Sequence, residues 1–191
     1  MTVLINYNLK KKTGVVLYKN LKLIRKFARD ARGVQLLKND YKGFNWYIKN
    51  LRNFNQSLEK CRLTDTYLEY PFFEGKVIKY WDSLVENAKE TKIILEFYKN
   101  SWPSNAKVPS HGDLTFSNII FNKNKNPVFI DWENFSPKEP WGLDICYFLI
   151  STVALPCLVK NQKQISDQDL SLFEKIWKDF YGEKKFEYHN K

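Results

Sequence analysis

The stretch HGDLTFSNIIFNKNKNPVFIDWE, residues 111–133, sets polar side chains around two short apolar runs. The runs at 119–121 and 128–130 flank the polar segment NKNKN and predict a β-hairpin. Asn118 precedes the first strand and Asp131 follows the second, so pairing of the strands places both side chains at one end. Hard oxygen donors that converge in this way suit Mg²⁺, with phosphate and water completing its coordination.

A further carboxylate, Asp113, lies before Asn118 in the same loop. There it can accept a proton from an attacking hydroxyl. The alternative is purely local, with Asp113 capping a turn and Asn118 forming an Asx turn. The His-Gly pair before Asp113, and the Asp-Trp-Glu segment after the hairpin, favour a functional site over the local turn.

Length and composition suit one domain, or a small and a larger lobe around a cleft, in 191 residues that are 43% hydrophobic. The net charge of +10 attracts anionic partners, or serves only solubility.

Three Cys without a CxxC pair argue against a disulfide framework or a zinc site, and predict a reducing, cytoplasmic location. The lysines after the first apolar residues, without a small-residue cleavage site, do not fit a signal peptide. The apolar stretch 145–159 is shorter than the ~20 residues of a membrane span and predicts a buried core helix.

The remaining pattern places other elements around this hairpin. We predict a hairpin at 14–27, a helix at 34–51, a strand at 62–70, a helix at 77–100, a loop at 101–110, and helices at 141–159 and 170–181. Strands that precede helices without βαβ alternation predict the α+β class.

The motif HGD-x4-N, followed by a hairpin and an apolar-Asp-Trp segment, resembles the aminoglycoside phosphotransferase and choline kinase group. That group is a branch of the protein-kinase-like fold. The resemblance implies a two-lobe fold, with a small antiparallel-sheet N-terminal lobe at 1–70, shortened here. The mostly helical C-terminal lobe at 71–191 would carry the catalytic loop and the metal-binding hairpin.

The same resemblance implies roles around the loop. Asp113 would be the catalytic base, and Asn118 and Asp131 would hold magnesium, as in the related kinase template. His111 would brace the catalytic loop. Asp144, in PWGLDICYF, would support that loop from the start of a helix.

A second set of residues is implied on the nucleotide side. Lys26 would contact the ATP phosphates, with Lys22 on the same strand face, and Asp40 would pair with Lys26. The segment YLEYPFFEG would be the hinge, where backbone groups near Glu69 and Tyr70 contact adenine. The chain departs from the pattern in having no GxG sequence and in having Asp40 where a Glu is usual.

These residues predict an ATP-dependent small-molecule kinase whose acceptor is a hydroxyl of a sugar, an amino alcohol or an aminoglycoside-like compound. Glu133 would line the acceptor pocket or form a surface pair; with Glu139 it is the nearby acid available to a cationic acceptor, whereas the net charge favours an anionic one. A catalytically degenerate nucleotide-binding or scaffold protein is the alternative. Scattered lysines without a recognised motif predict no nucleic-acid partner. No transmembrane segment is expected, and the charge leaves contact with an anionic membrane surface open.

Overall fold

The computed structural model describes residues 3–6, 12–51, 61–79, 82–162 and 164–182. Within these residues a five-stranded antiparallel sheet and one α-helix come first. Two small sheets and three α-helices follow. The predicted α+β class, with an antiparallel-sheet N-terminal region and a mostly helical C-terminal part, is confirmed.

The N-terminal sheet has the strand order β1-β2-β3-β5-β4. Its strands are β1 (Val3–Asn6), β2 (Thr13–Tyr18), β3 (Leu23–Ala28), β4 (Arg62–Leu63) and β5 (Tyr67–Pro71). β2 and β3 form the predicted hairpin, whereas β1 was not predicted. The single strand predicted at 62–70 is wrong, because Thr64 Oγ1 accepts the backbone N–H of Tyr67 at 3.1 Å and closes a turn between β4 and β5.

Helix α1 (Ala31–Asn50) packs against this sheet and begins earlier than predicted, because Asp30 caps it by accepting the Gly33 N–H at 2.7 Å. Its buried face includes Leu37, Phe44 and Tyr47. The Tyr47 hydroxyl donates to the carbonyl of Pro127 at 3.2 Å and accepts the N–H of Phe129 at 3.3 Å. The helix is therefore joined both to the sheet and to the hairpin at 119–129.

Helix α2 (Ala88–Ser101) is shorter than the predicted helix 77–100. Lys76 and Val77 instead form a strand that pairs with Phe121 and Ile120. Further on, the Ser83 N–H bonds the Glu86 carboxylate at 2.7 Å and the Glu86 N–H bonds Ser83 Oγ at 3.2 Å. This reciprocal pair is a capping box, which starts a new turn and ends any helix approaching from upstream.

Two small sheets carry the loop at 111–118 and the hairpin that follows it. One sheet has the order β6-β8-β9, from Lys76–Val77, Ile119–Phe121 and Pro127–Phe129, and confirms the predicted hairpin. The other pairs β7 (Lys107–Ser110) with β10 (Ser136–Pro140). The loop predicted at 101–110 is therefore wrong from Lys107 onward, because cross-strand pairing overrides a sequence rich in turn residues.

The last two helices are α3 (Leu143–Val159) and α4 (Asp167–Tyr181). Trp141, before α3, stacks on Phe180 of α4 with ring centroids 5.3 Å apart. Helix α3 buries Ile145, Phe148 and Leu149. The prediction of a wholly buried helix was wrong, since five of its apolar residues are exposed: Leu143, Tyr147, Ile150, Leu158 and Val159. Among the described helices, none combines the length and apolarity needed to cross a bilayer.

Candidate active site

The candidate catalytic loop, residues 111–118, follows β7 and is held by one buried carboxylate. Asp144, in the first turn of α3, accepts the Ser110 hydroxyl at 2.7 Å and the His111 N–H at 2.8 Å. It also accepts the Gly112 N–H at 3.0 Å. Gly112 has φ +78, and a Cβ there would lie 2.3 Å from the Asn134 carbonyl oxygen, so only glycine fits. These contacts agree with the supporting role expected for Asp144.

His111 is fully buried and faces the protein rather than the cleft. Its Nδ1 accepts the Asp113 N–H at 3.3 Å, which leaves the proton on Nε2, and Nε2 donates to the Ile130 carbonyl at 2.8 Å. The ring also packs on Trp132 with centroids 4.5 Å apart. His111 therefore connects the loop to the hairpin, and its bracing role stays a prediction.

Asp113 is half-buried, and its carboxylate is held on both oxygens. Asn118 Nδ2 donates to the Asp113 carbonyl at 2.8 Å and to Oδ2 at 3.2 Å. The Tyr147 hydroxyl of α3 donates to Oδ1 at 3.1 Å. Tyr147 was missed at the sequence level, because only the packing of α3 against the catalytic loop brings it to Asp113.

The magnesium donors predicted at the hairpin end, Asn118 and Asp131, lie on neighbouring backbone segments. The Ile130 N–H, next to Asp131, donates to the Asn118 carbonyl at 2.9 Å. Asp131 has the left-handed φ of +66, and its side chain is 37% exposed. Among the described residues, no group of three or more His, Cys, Asp or Glu side chains could hold a metal alone. One carboxylate and one carboxamide nevertheless fit a magnesium ion that takes its other ligands from phosphate and water.

Lys26 of β3 is buried among three carboxylates, which we call the Lys26 cluster. Its ammonium lies 2.8 Å from Asp40 of α1 and 2.8 Å from Glu133, and it also contacts Asp131. Burial lowers the pKa of Lys26, but Asp40 and Asp131 outweigh burial and hold this pKa well above its usual range. The predicted Lys26–Asp40 pairing is present, and the positive charge is fixed at the hairpin end that carries Asp131.

Asp40 connects the cluster to the hairpin backbone. Its second oxygen accepts the Trp132 N–H at 2.9 Å. Burial raises the pKa of Asp40, while the charge of Lys26 opposes that rise. The shorter side chain of Asp in place of Glu is therefore long enough, since α1 lies close to the hairpin here.

Glu133 does not form the surface pair considered for it, because its partner Lys26 is buried. A place in the acceptor pocket stays a prediction. The Glu133 carboxylate accepts the Thr13 hydroxyl at 2.8 Å as well as pairing with Lys26. Its carbonyl accepts Asn39 Nδ2 at 3.2 Å. Glu133 thus connects the hairpin end to β2, β3 and α1. Glu139, the other acid expected nearby, accepts the Ser136 hydroxyl at 2.7 Å.

The residues expected at the hinge lie on two faces of the sheet. Tyr70 shares the inner face with Lys26, is 8% exposed and packs on Phe44 at 5.8 Å between ring centroids. Glu69 faces the other way and binds Arg25 Nε at 2.9 Å. Lys22, expected on the face of Lys26, lies instead in the turn with φ +47 and pairs with Glu74 at 2.9 Å.

The fold and the site together define a protein-kinase-like protein: an antiparallel sheet with a buried Lys–Asp pair beside an HGD-x4-N loop and an Asp-bearing hairpin. The profile of the phosphotransferase enzyme family, APH, matches residues 13–142. The chain therefore belongs to that phosphotransferase family, which confirms the resemblance seen in the sequence.

A solved structure shows the same fold at low sequence identity. It is a GDP complex of a mutant of the aminoglycoside 2'-phosphotransferase-IIIa, 12% identical, with a TM-score of 0.55, covering 90% of this chain and 80% of that one. A search of curated proteins found no match.

Proposed function

We propose that the protein is an ATP-dependent small-molecule kinase that transfers the γ-phosphate to a hydroxyl of a sugar, an amino alcohol or an aminoglycoside-like acceptor. The observation that carries the proposal is Asp113, fixed on a rigid loop beside Asn118, next to the hairpin end where Lys26 and Asp131 meet. Family membership supports phosphoryl transfer. The GDP bound in the similar structure supports a nucleotide site in this fold.

Asp113 would act as the base. One carboxylate oxygen accepts the proton of the acceptor hydroxyl as the hydroxyl oxygen bonds to the γ-phosphorus. The bond from that phosphorus to the β–γ bridging oxygen breaks, and ADP leaves. Because the transition state of phosphoryl transfer is loose, positioning and charge stabilisation supply most of the acceleration.

Asn118 and Asp131 would hold magnesium, which when bound neutralises charge on the β- and γ-phosphates. Lys26 would add its charge to the same phosphates. Asp40 and Glu133, each 2.8 Å from its ammonium, keep Lys26 in place while Asp131 serves the metal. His111 and Asp144 would keep the loop in register.

The nucleotide base would lie at the hinge. We assign backbone groups near Glu69 and Tyr70 to the adenine, and divide the chain at residue 70 into a reduced N-terminal nucleotide-binding lobe and a helical C-terminal lobe. The Glu69 side chain would not contact the adenine, because its carboxylate binds Arg25 on the outer face of the sheet. We place the enzyme in the cytoplasm, where the charge of +10 favours contact with anionic surfaces.

A catalytically degenerate nucleotide-binding or scaffold protein is the second candidate. The absence of a GxG sequence favours it. The Lys26 cluster also favours it, because three carboxylates already surround the ammonium that phosphates would need.

A thermal-shift measurement with ATP distinguishes magnesium-dependent from magnesium-independent nucleotide binding. ATP should raise the melting temperature more with Mg²⁺ than without, and Asp131→Asn should remove the magnesium-dependent part. Asp65→Asn, in the exposed turn before β5, is the matched control and should behave as the wild type. A magnesium-independent shift would favour the scaffold.

A screen for ADP release then tests transfer. Sugars, amino alcohols and aminoglycosides are each added to enzyme, ATP and Mg²⁺. At least one class should raise ADP release above the rate without acceptor, and Asp113→Ala should remove the rise. Magnesium-dependent ATP binding with no acceptor-dependent release would support the degenerate alternative.

A further inference from the structure

Tyr147 places a hydroxyl where an acceptor hydroxyl should lie. Its phenol donates to Asp113 Oδ1 at 3.1 Å, while Asn118 holds Oδ2. Oδ1 is therefore the oxygen turned toward α3, and the phenol oxygen marks a position from which a hydroxyl can donate to the base. The Tyr147 side chain is 47% exposed, so this position is open to solvent.

An apolar stripe on α3 begins at the same point. Leu143, Tyr147 and Ile150, which we call the α3 stripe, follow one another by four and three residues and so share a helix face. They are 43%, 47% and 48% exposed. Large apolar side chains gathered on a surface beside a candidate catalytic group mark a binding surface rather than a scattered apolar surface.

The α3 stripe leads into a groove between α3 and α4. Ile150 lines this groove with Phe173 and Trp177, and its volume is about 410 Å³. Ile150 is three residues, slightly less than one helical turn, from Tyr147, so this end of the groove lies within about 5 Å along the helix axis of the position next to Asp113. A molecule whose hydroxyl reaches Asp113 can therefore rest its body on Ile150 and the two aromatic rings.

The charges around the groove decide the class of that molecule. Glu174 and Lys178 line it with opposite charges, so they give it no net charge. The acids closest in sequence to the hairpin end are engaged elsewhere: Glu133 with Lys26 and Thr13, and Glu139 with Ser136. Glu174 is the one acid among the described residues that line the groove, so a polycation meets a single carboxylate there, whereas an apolar body meets Ile150, Phe173 and Trp177.

We propose that the acceptor is an alcohol with an apolar body, which lies along the α3 stripe with its hydroxyl in place of the Tyr147 hydroxyl on Asp113. The proposal rests on the proposed function and names the acceptor class. Tyr147 is then a positioning residue that holds the Asp113 carboxylate until the acceptor arrives.

Two alkyl glucosides with the same hydroxyl groups test the apolar contact. Binding of methyl β-glucoside and of octyl β-glucoside below its micellar concentration is measured by saturation-transfer NMR, in the presence of ATP and Mg²⁺. Burial of even part of the octyl chain should strengthen binding at least about tenfold over the methyl compound. Octyl glucoside should also raise ADP release more than methyl glucoside does.

Variants on one helix locate the contact. Ile150→Glu should remove the preference for the octyl compound. Leu158→Glu, at a position 71% exposed on the same helix and outside the groove lining, should keep it. Equal binding of both glucosides, or equal loss in both variants, would overturn the apolar surface. Octyl binding without added ADP release would overturn the placement of the hydroxyl on Asp113.

A second copy of the chain is the other occupant that the measurements can reveal. Sedimentation of the wild type should show a monomer; a dimer that Ile150→Glu dissociates would overturn the acceptor assignment. Failure of the magnesium-dependent ATP shift would instead count against the proposed kinase function, whatever the glucosides do. The two failures are therefore distinguishable.

Discussion

The two sides of the candidate site are held by different kinds of contact. On the loop side, Asp113 is fixed by hydrogen bonds from Asn118 and Tyr147, and Asp144 secures the backbone. On the sheet side, Lys26 is fixed by ion pairs to carboxylates from α1 and the hairpin end. The loop side is held by directional hydrogen bonds, whereas the Lys26 cluster is held by the balance of its charges. Changes of pH or of charge should therefore affect the Lys26 cluster more than the loop.

The largest expected effect is on catalysis, from the loop side. Asp113→Ala removes the proposed base and should lower kcat by roughly 10²–10⁴ with ATP affinity retained. Turnover is measured with an acceptor from the screen, and Ser117→Ala, in the same loop and exposed, is the control. Full turnover by Asp113→Ala would remove Asp113 from the mechanism.

Removal of Lys26 should give the largest loss of stability. Lys26→Met leaves Asp40 buried without its cation, and should lower the free energy of unfolding by about 3–5 kcal/mol at pH 8. Urea unfolding measures the loss. Lys22→Met, which removes a solvent-exposed pair with Glu74, is the control and should leave the urea midpoint close to that of the wild type.

The pH dependence of that loss sharpens the comparison. Burial raises the pKa of Asp40 above its ordinary 3.8. A carboxyl whose pKa is higher in the folded state stabilises that state at low pH. This contribution is lost as the pH rises through the folded-state pKa. The deficit of Lys26→Met should therefore shrink between pH 8 and pH 5. A deficit that is the same at both values would show that Asp40 does not titrate in the variant.

In the wild type, Lys26 determines how the free energy of unfolding should change at high pH. Its raised pKa means that its contribution to stability is fully present below the ordinary value of 10.5, and is lost only as pH rises through the higher folded value. Unfolding measured up to pH 10 should show no loss attributable to this group.

Asp144→Ala tests the support of the catalytic loop. It leaves the Ser110 hydroxyl and the N–H groups of His111 and Gly112 without their buried acceptor, and should cost about 2–4 kcal/mol in unfolding free energy. Asp144→Asn retains one acceptor oxygen and should lose less. Equal stability of both variants and the wild type would show that the loop is held by other contacts.

The smallest effect is expected on the outer face of the sheet. Glu69→Ala removes a partly exposed ion pair with Arg25 and should cost under about 1 kcal/mol. The ATP-induced thermal shift should be unchanged, because the Glu69 carboxylate faces away from Lys26. A reduced shift would place this side chain in the nucleotide site.

The part of the loop side that lies within residues 111–131 could be predicted from the sequence, because its residues are close together in the chain. Asp113 and Asn118 lie in one loop, and the hairpin that carries Asp131 follows directly, so spacing and turn residues specified the arrangement. The sheet side was predicted in part, through a lysine on a strand and an acid on the next helix. Glu133 as a third partner of Lys26 and Tyr147 as a partner of Asp113 depend on tertiary packing, which no local pattern encodes.

Two elements were wrong for the same reason. The predicted helix 77–100 began too early, since its first residue, Val77, pairs with Ile120 of β8, and α2 begins only at Ala88. The predicted loop 101–110 contains β7, which finds its partner in β10. In both cases pairing with a strand distant in the sequence decided the conformation, and local propensity did not.

Helix α1 limits how the N-terminal sheet and the hairpin at 119–129 can separate. By sequence it belongs with the sheet, yet Tyr47 bonds the backbone of Pro127 and Phe129, and Asp40 bonds that of Trp132. If the cleft opened with sheet and α1 as one rigid body, all of these bonds would break together. Lys26 of β3 and Thr13 of β2 also bind Glu133 at the hairpin end, so a movement of the strands alone would break these contacts while the bonds of α1 persist. We therefore expect sheet, α1 and hairpin to move as one unit.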